Sequence, residues 1–212
     1  MPENKKTIIL ADGSFPVHDI PLQYLREAER IICCDGSSDQ LIKAGFVPEA
    51  IVGDLDSVSP EIKEKFSGKL FPDPDQETND LTKAVRWCTE RNYKDLVILG
   101  ATGKREDHTI GNISLLIEYA REAEVMMVTD TGILRPFLKS CEIRSFRGQQ
   151  ISVFSINPET EITASGLRYP LIRKKLRNWW EATLNEATGE KIEMVFEGGA
   201  LIVFLQFDPL FH

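Results

Sequence analysis

The chain has 212 residues, 42% of them hydrophobic, with 33 acidic and 25 basic side chains and a formal charge of -8. That is enough for one large globular domain or two small ones, and the acidic balance argues against broad nucleic-acid binding, which needs a basic face. No apolar run is long enough to span a membrane, and Cys33, Cys34, Cys88 and Cys141 form no Cys-x-x-Cys pair, so a zinc site is not expected.

The opening segment, Met1 to Thr7, lacks the apolar core and cleavage site of a signal peptide, so the cytoplasm is the expected compartment. Residues 7–11 form an apolar run ending in the turn signal Asp12-Gly13-Ser14. A helix is expected over 22–29. Residues 30–34 read as a second buried strand, with Cys33 and Cys34 as buried thiols, ending at Asp35-Gly36. Ser37 or Ser38 can cap the next helix and Gly45 can end it. Ala50-Ile51-Val52 is a third strand, and Ser59-Pro60 has the form of an N-cap followed by a first helical residue.

Leu81, Ala84, Val85 and Cys88 recur at helical spacing, which sets Asp80 near a helix start. Residues 96–99 give a fourth strand. Ile110, Ile113, Ile117 and Ala120 mark the expected inner face of a further helix, and residues 125–128 a fifth strand. Strands alternating with helices imply a largely parallel sheet covered on both faces, with ligands bound beyond the strands' carboxyl ends. After about Thr131 the pattern turns β-rich, over 132–135, 150–156, 160–163, 191–196 and 200–205, with turn signals at Asn157-Pro158 and Gly198-Gly199. The expected architecture is an α/β domain over 1–131 and a small antiparallel β-sandwich over 132–212.

Three acidic clusters and one basic loop fall near strand-to-helix junctions. Gly53-Asp54-Leu55-Asp56-Ser57 follows the third strand, and in an extended segment its two carboxylates share one side. Crowded carboxylates repel unless a cation lies between them, and oxygen ligands without nearby Cys or His suit a hard ion such as Mg²⁺; a solvated acidic turn is the plainer alternative. The second cluster, residues 73–80, ends at Asp80, which is either a helix-dipole partner or, if Asn79 or Thr78 caps, a free ligand. Asp35-Gly36-Ser37-Ser38 can meet a ribose, phosphate or ammonium group, or be only a turn. Gly103-Lys104-Arg105, ahead of Asp107 and His108, suits an anion held by free helix N–H groups, although it is not a P-loop and Asp107 can equally be a cap. Trp179 and Trp180 lie among Lys174, Lys175 and Arg177, either as core or interface residues or as a face for a flat cationic ligand. Together the clusters point to metal-assisted phosphoryl chemistry on a nucleotide.

In order and spacing these motifs resemble the thiamine pyrophosphokinase family. The resemblance is carried by Asp35-Gly36, by Gly53-Asp54-Leu55-Asp56-Ser57, and by Asp75-Gln76-Glu77-Thr78-Asn79-Asp80-Leu81-Thr82-Lys83-Ala84. It continues through Gly103-Lys104-Arg105-Glu106-Asp107-His108 with Asn112, Gly166-Leu167-Arg168-Tyr169-Pro170-Leu171, and Thr183-Leu184-Asn185-Glu186. It implies transfer of the terminal pyrophosphate of ATP to the thiamine hydroxyl with release of AMP, in a homodimer with sites near the subunit interface. Under it, Asp54, Asp56 and Asp80 are the Mg²⁺-binding and catalytic acids. Asp35, Gly103, Lys104, Arg105, Asp107, His108 and Asn112 fall to the ATP site, and Gln76, Asn185, Trp179 and Trp180 to the thiamine side. Three positions depart from the family's usual pattern: Lys104 replaces a second glycine, Asn79 a threonine and Leu184 a serine. The rival readings are a phosphatase of the haloacid dehalogenase type, for which Asp54-Leu55-Asp56 would be the paired acids, and a non-catalytic nucleotide sensor. The phosphatase family places its pair after the first strand, whereas here it follows the third.

Overall fold

The computed structural model describes residues 6–208. Residues 1–5, on which part of the signal-peptide expectation rests, lie outside them. Two compact units divide the chain, one running to Leu115 and including Glu122–Asp130, the other made of Leu116–Arg121 and the residues from Thr131 onward.

The first unit contains strands β1 (Thr7–Leu10), β2 (Arg30–Cys34), β3 (Ala50–Gly53), β4 (Leu70–Pro72), β5 (Asp95–Leu99) and β6 (Glu124–Val128). Between them run helices α1 (Asp19–Arg26), α2 (Ser37–Lys43), α3 (Pro60–Lys65), α4 (Asp80–Glu90) and α5 (Glu106–Tyr119). Every strand pairing in this unit is parallel, in the order β6-β5-β1-β2-β3-β4. Strands covered on both faces must be apolar on both, and Ile8, Ile9, Leu10, Val97, Ile98 and Leu99 are all buried without alternation. Each such side chain stabilises the fold by about 1.5–3 kcal/mol. Helix α4 lies on β2 and β3 through Leu81, Ala84, Val85 and Cys88, the face its spacing predicts. The Cys33 thiol is buried as expected, and that burial pushes its pKa up to about 12, so it stays protonated and inert.

Several local expectations change. Helix α1 begins at Asp19, because His18 Nδ1 accepts the Ile20 N–H at 3.2 Å and so caps it early. Neither Ser37 nor Ser38 caps α2; their hydroxyls donate instead to the carbonyls of Leu10 and Asp35. Gly45 does follow the end of α2, at φ +88. Ile110 is 56% exposed rather than on the inner face of α5. The residues of α5 that turn to the cavity described below are His108, Thr109 and Asn112, and burial starts only at Leu116 and Ile117. Strand β4, a three-residue edge strand ending in proline, carries too little pattern to be read from sequence.

The second unit is all antiparallel. One sheet has the order β12-β9-β14-β7, from β7 (Gly132–Phe137), β9 (Gln150–Ser155), β12 (Asn185–Glu186) and β14 (Leu201–Gln206). The other has the order β11-β10-β13-β8, from β8 (Cys141–Arg144), β10 (Glu161–Ser165), β11 (Leu171–Lys175) and β13 (Lys191–Phe196). Ile151, Val153 and Val203 of the first sheet share one core with Ile162, Ile192 and Met194 of the second, which makes the unit a sandwich. Strand β13 alternates cleanly, with Ile192, Met194 and Phe196 inward and Lys191, Glu193 and Val195 outward. Strands β8, β11 and β12 do not show in the sequence: β8 buries only Ile143, β11 is basic and mostly exposed, and β12 has two residues.

Candidate active site

The chain lays down β1, β2, β3 and β4 in one direction, then returns to place β5 on the other side of β1. The strand order therefore reverses at β1, and an open parallel sheet binds its ligands beyond the strands' carboxyl ends at such a reversal. A cavity of about 460 Å³ lies there. Its wall takes Asp12 from the end of β1, Asp35 from β2, Asp54 from β3, Asp80 from the start of α4, and Lys104 and Arg105 from the β5–α5 loop. Gln76, His108 and Asn112 also line it.

Local backbone geometry places these groups. Asp35 and Leu55 have φ of +40 and +66, left-handed values uncommon outside glycine. Strain of this kind concentrates at functional sites. Leu55 also corrects an expectation: β3 stops at Gly53, so Asp54 and Asp56 are not two residues of an extended strand sharing a side. Asp54 lines the cavity and accepts the Asp56 N–H at 3.0 Å, while the Asp56 side chain is exposed and absent from the wall. Asn79 caps α4, accepting the Thr82 N–H at 2.8 Å. That leaves the Asp80 carboxylate to face Lys83, whose Nζ lies 3.0 Å from Asp80 Oδ1.

Lys83 was not singled out from the sequence, yet its side chain is only 3% exposed and it lies on the cavity wall. Burial pulls its ammonium pKa down, but the hydrogen bond to Asp80 and the charges of Asp80, Asp54 and Asp73 outweigh that and leave it raised. Asp35 is also buried. Burial raises its carboxyl above the ordinary range, the Ser57 N–H opposes this, and the negative charges of Asp80 and Asp54 add to it. Its Oδ1 is buried without a hydrogen-bond partner.

The β5–α5 loop packs against the β1–α1 loop. Gly13 N–H donates to Gly100 O at 2.6 Å and Ser14 N–H to Thr102 O at 2.8 Å. A Cβ on Gly13 would stand 2.3 Å from Gly100 O, and one on Gly103, where φ is +94, would stand 2.5 Å from Ser14 Oγ, so glycine is required at both. Gly103 thus shapes the loop without entering the wall. Arg105 makes a two-pronged pair with Asp107, at 3.1 and 2.6 Å, which holds the Asp107 pKa down at about 2. Asp107 is not on the wall. It lies within the first turn of α5 and accepts the His108 N–H. Asn112 donates to Ala101 O at 2.9 Å and accepts from Asn79 at 3.3 Å, tying α5 to its loop and to the cap of α4.

In the second unit Asn185 is 4% exposed, and its side chain is bound to backbone: Nδ2 to Tyr169 O at 2.8 Å, Oδ1 to Tyr169 N at 3.1 Å and to Glu186 N at 2.9 Å. Trp179 and Trp180 are not core. They are 45% and 73% exposed, and Trp179 meets Phe154 edge-on with ring centroids 5.9 Å apart.

A family profile described as thiamin pyrophosphokinase, catalytic domain, matches residues 22–129, and one described as thiamin pyrophosphokinase, substrate-binding domain, matches 132–204. The chain belongs to the thiamin pyrophosphokinase family. Thiamine pyrophosphokinase 1 of Oryza sativa is 32% identical over 181 residues, covering 71% of this chain and 68% of that protein. The enzyme of Bacillus subtilis is 27% identical, covering 78% and 82%. Among solved structures, thiamin pyrophosphokinase from Geobacillus thermodenitrificans superposes with a TM-score of 0.78 at 24% identity, covering 97% of this chain and 99% of that one. The Candida albicans structure gives 0.79 at 16% identity, covering 98% and 95%, and shares the fold.

A thiamin pyrophosphokinase must manage the charge of a polyphosphate, and the side chains on this wall suit a hard divalent ion in kind. Asp54 and Asp80 offer only oxygen, and Asp35, whose buried Oδ1 has no hydrogen-bond partner, lines the same cavity. Among the described residues, no three His, Cys, Asp or Glu side chains are drawn together as a ready metal cluster.

One consequence concerns Asp35. Its ionised form is disfavoured in the fold, so the cost is present above the ordinary carboxylate value of 3.8 and absent below it. Asp35→Asn keeps an acceptor for Ser57, and is expected to raise the thermal midpoint of the metal-free protein at pH 7 but not at pH 3. Melting curves in chelator would show it; a lowered midpoint at pH 7 would contradict this account of Asp35.

Proposed function

We propose that this chain transfers the pyrophosphoryl group of ATP to the hydroxyl of thiamine, giving thiamine diphosphate and AMP. The observation that carries this is the cavity at the strand-order reversal, in a chain matched along both units to one family. There Asp54, Asp80, Lys104 and Arg105 line one space sized for a nucleotide.

The thiamine oxygen bonds to the β-phosphorus, the bond from that phosphorus to the α,β-bridging oxygen breaks, and AMP leaves with the electron pair. The hydroxyl proton passes to a carboxylate, Asp80 or Asp56, or to water. In-line phosphoryl transfer depends mainly on positioning and charge. Asp54 and Asp80 would hold Mg²⁺, with Asp56 as the third acid of the set, and the ion would supply neutralisation of the polyphosphate oxygens. Lys104 and Arg105 bind phosphate from the same cavity's wall, and His108 and Asn112 position the nucleotide.

The first unit then serves as the nucleotide-binding domain and the second as the thiamine-binding domain. Trp179 and Trp180 offer exposed aromatic faces to the thiazolium cation. Trp180→Ala is expected to raise KM for thiamine about 5- to 30-fold, the loss of a cation–π contact of about 1–2 kcal/mol, with KM for ATP unchanged. Steady-state titration of each substrate separates the two effects. The chain acts as a homodimer; Tyr169, Ile172, Trp180 and Leu184 are each more than 60% exposed, and apolar groups of that size favour a partner surface. Sedimentation gives the mass directly. No helix among the described residues is long and apolar enough to cross a membrane. All four cysteines are free thiols, which supports residence in a reducing compartment such as the cytoplasm.

Incubation of the pure protein with ATP, Mg²⁺ and thiamine tests the reaction. AMP and thiamine diphosphate formed in equal amounts support it. Inorganic phosphate alone would support a phosphatase, and binding of ATP without turnover a sensor.

A further inference from the structure

One contact at the cavity wall has no part in the reaction described above. Lys104 Nζ lies 2.9 Å from Asp12 Oδ1, between side chains 92 positions apart in sequence. Both residues line the cavity, and their side chains are 48% and 45% exposed. An ion pair so open to water adds little to stability. The loops carrying the two residues are already joined by the Gly13–Gly100 and Ser14–Thr102 backbone hydrogen bonds, so the pair is not needed to close them.

The neighbouring cation differs. Arg105 gives both Nε and a terminal nitrogen to Asp107, which is outside the wall. Lys104 gives one of its three donors to Asp12, which is on the wall. A lysine normally loses much rotamer freedom when it binds an anion, and a tether formed beforehand removes part of that cost.

We propose that Asp12 is a positioning residue that holds the Lys104 ammonium at the cavity wall, where Lys104 binds the β- and γ-phosphates of the nucleotide and so favours a triphosphate over a monophosphate. This rests on the reading of the cavity as the ATP site. The sign is set by geometry: a tethered ammonium keeps two donors for phosphate, whereas an untethered one is free to leave the wall for solvent.

The test compares wild type with Lys104→Ala, Lys104→Arg, Asp12→Ala and the Asp12→Ala/Lys104→Ala double variant. Binding of ATP and of AMP is measured by calorimetry with Mg²⁺, and melting curves confirm that each variant folds. Lys104→Ala is expected to weaken ATP about tenfold, the loss of one charged hydrogen bond, and AMP less than twofold, with Lys104→Arg recovering most of the ATP affinity. Asp12→Ala is expected to weaken ATP several-fold, and the double variant to bind no worse than Lys104→Ala alone, since the two residues act through one contact. Unchanged ATP affinity in Lys104→Ala, equal losses for ATP and AMP, unchanged or tighter ATP binding in Asp12→Ala, or additive losses would each overturn the proposal while leaving the ATP-site reading in place. A wild-type protein that binds neither nucleotide would overturn both.

Discussion

Asp54→Asn is expected to lower the rate of AMP formation by more than about 100-fold while leaving the fold and its thermal midpoint nearly unchanged. The two halves of that expectation have separate causes. Asp54 holds its turn by accepting the Asp56 N–H, and an asparagine oxygen accepts it equally well. What the substitution removes is a negative charge and a hard oxygen donor on the cavity wall. Loss of an outer-shell partner of a metal already costs about 10–100-fold, so loss of a direct ligand exceeds that range. The measurement is AMP release across a Mg²⁺ titration, with circular dichroism as the control for folding. Near-normal turnover at ordinary Mg²⁺ would remove Asp54 from the metal site.

The sequence reveals most of the parallel sheet because strands covered on both faces leave unbroken apolar runs, such as Ile31 to Cys34 and Leu96 to Leu99. It reveals β13 through strict alternation. It hides β11, whose Ile172, Arg173 and Lys174 are all exposed and whose register shifts where Arg173 takes φ +49. Edge strands of this kind bury too little to leave a pattern. Where acidic or basic residues coincide with strand-to-helix junctions, at Asp54, Asp80, Lys104 and Arg105, the sequence anticipates residues that line the cavity. The extended geometry expected of Asp54-Leu55-Asp56 is what the sequence gets wrong, because a left-handed backbone at a leucine leaves no mark in it. Asp12 and Lys83 do not stand out in the sequence, for different reasons: one looks like an ordinary turn residue, and the other sits within a helix whose other charged residues are at least partly exposed. Only the fold brings Asp12 to Lys104, 92 positions away, or shows that the Lys83 side chain is almost fully buried.

That burial gives the largest expected effect on stability. The Lys83 side chain is 3% exposed and that of Asp80 35%, so the two ends of their 3.0 Å ion pair do not depend on each other equally. If Lys83 becomes methionine, the carboxylate left behind is a third open to water and can rehydrate, and the thioether fills the vacated volume. Lys83→Met is therefore expected to cost no more than about 1 kcal/mol, as when an ion pair gives way to a well-packed apolar group. If Asp80 becomes leucine, an ammonium remains inside the protein without its hydrogen-bonded partner. Stranding a buried charge costs about 3–5 kcal/mol, and the remaining fields of Asp54 and Asp73 place Asp80→Leu toward the lower end. The pH dependence distinguishes this cause from poor packing. Without Asp80 the largest influences opposing burial are gone and burial pulls the Lys83 pKa down, so the penalty is greatest near neutral pH and shrinks as rising pH takes the proton away. Urea unfolding of both variants at pH 7 and pH 10 measures it: the cost of Asp80→Leu should exceed that of Lys83→Met at pH 7, and the gap should narrow at pH 10. Equal costs at pH 7, or a gap that does not respond to pH, would mean that the lysine is not held in the interior by Asp80.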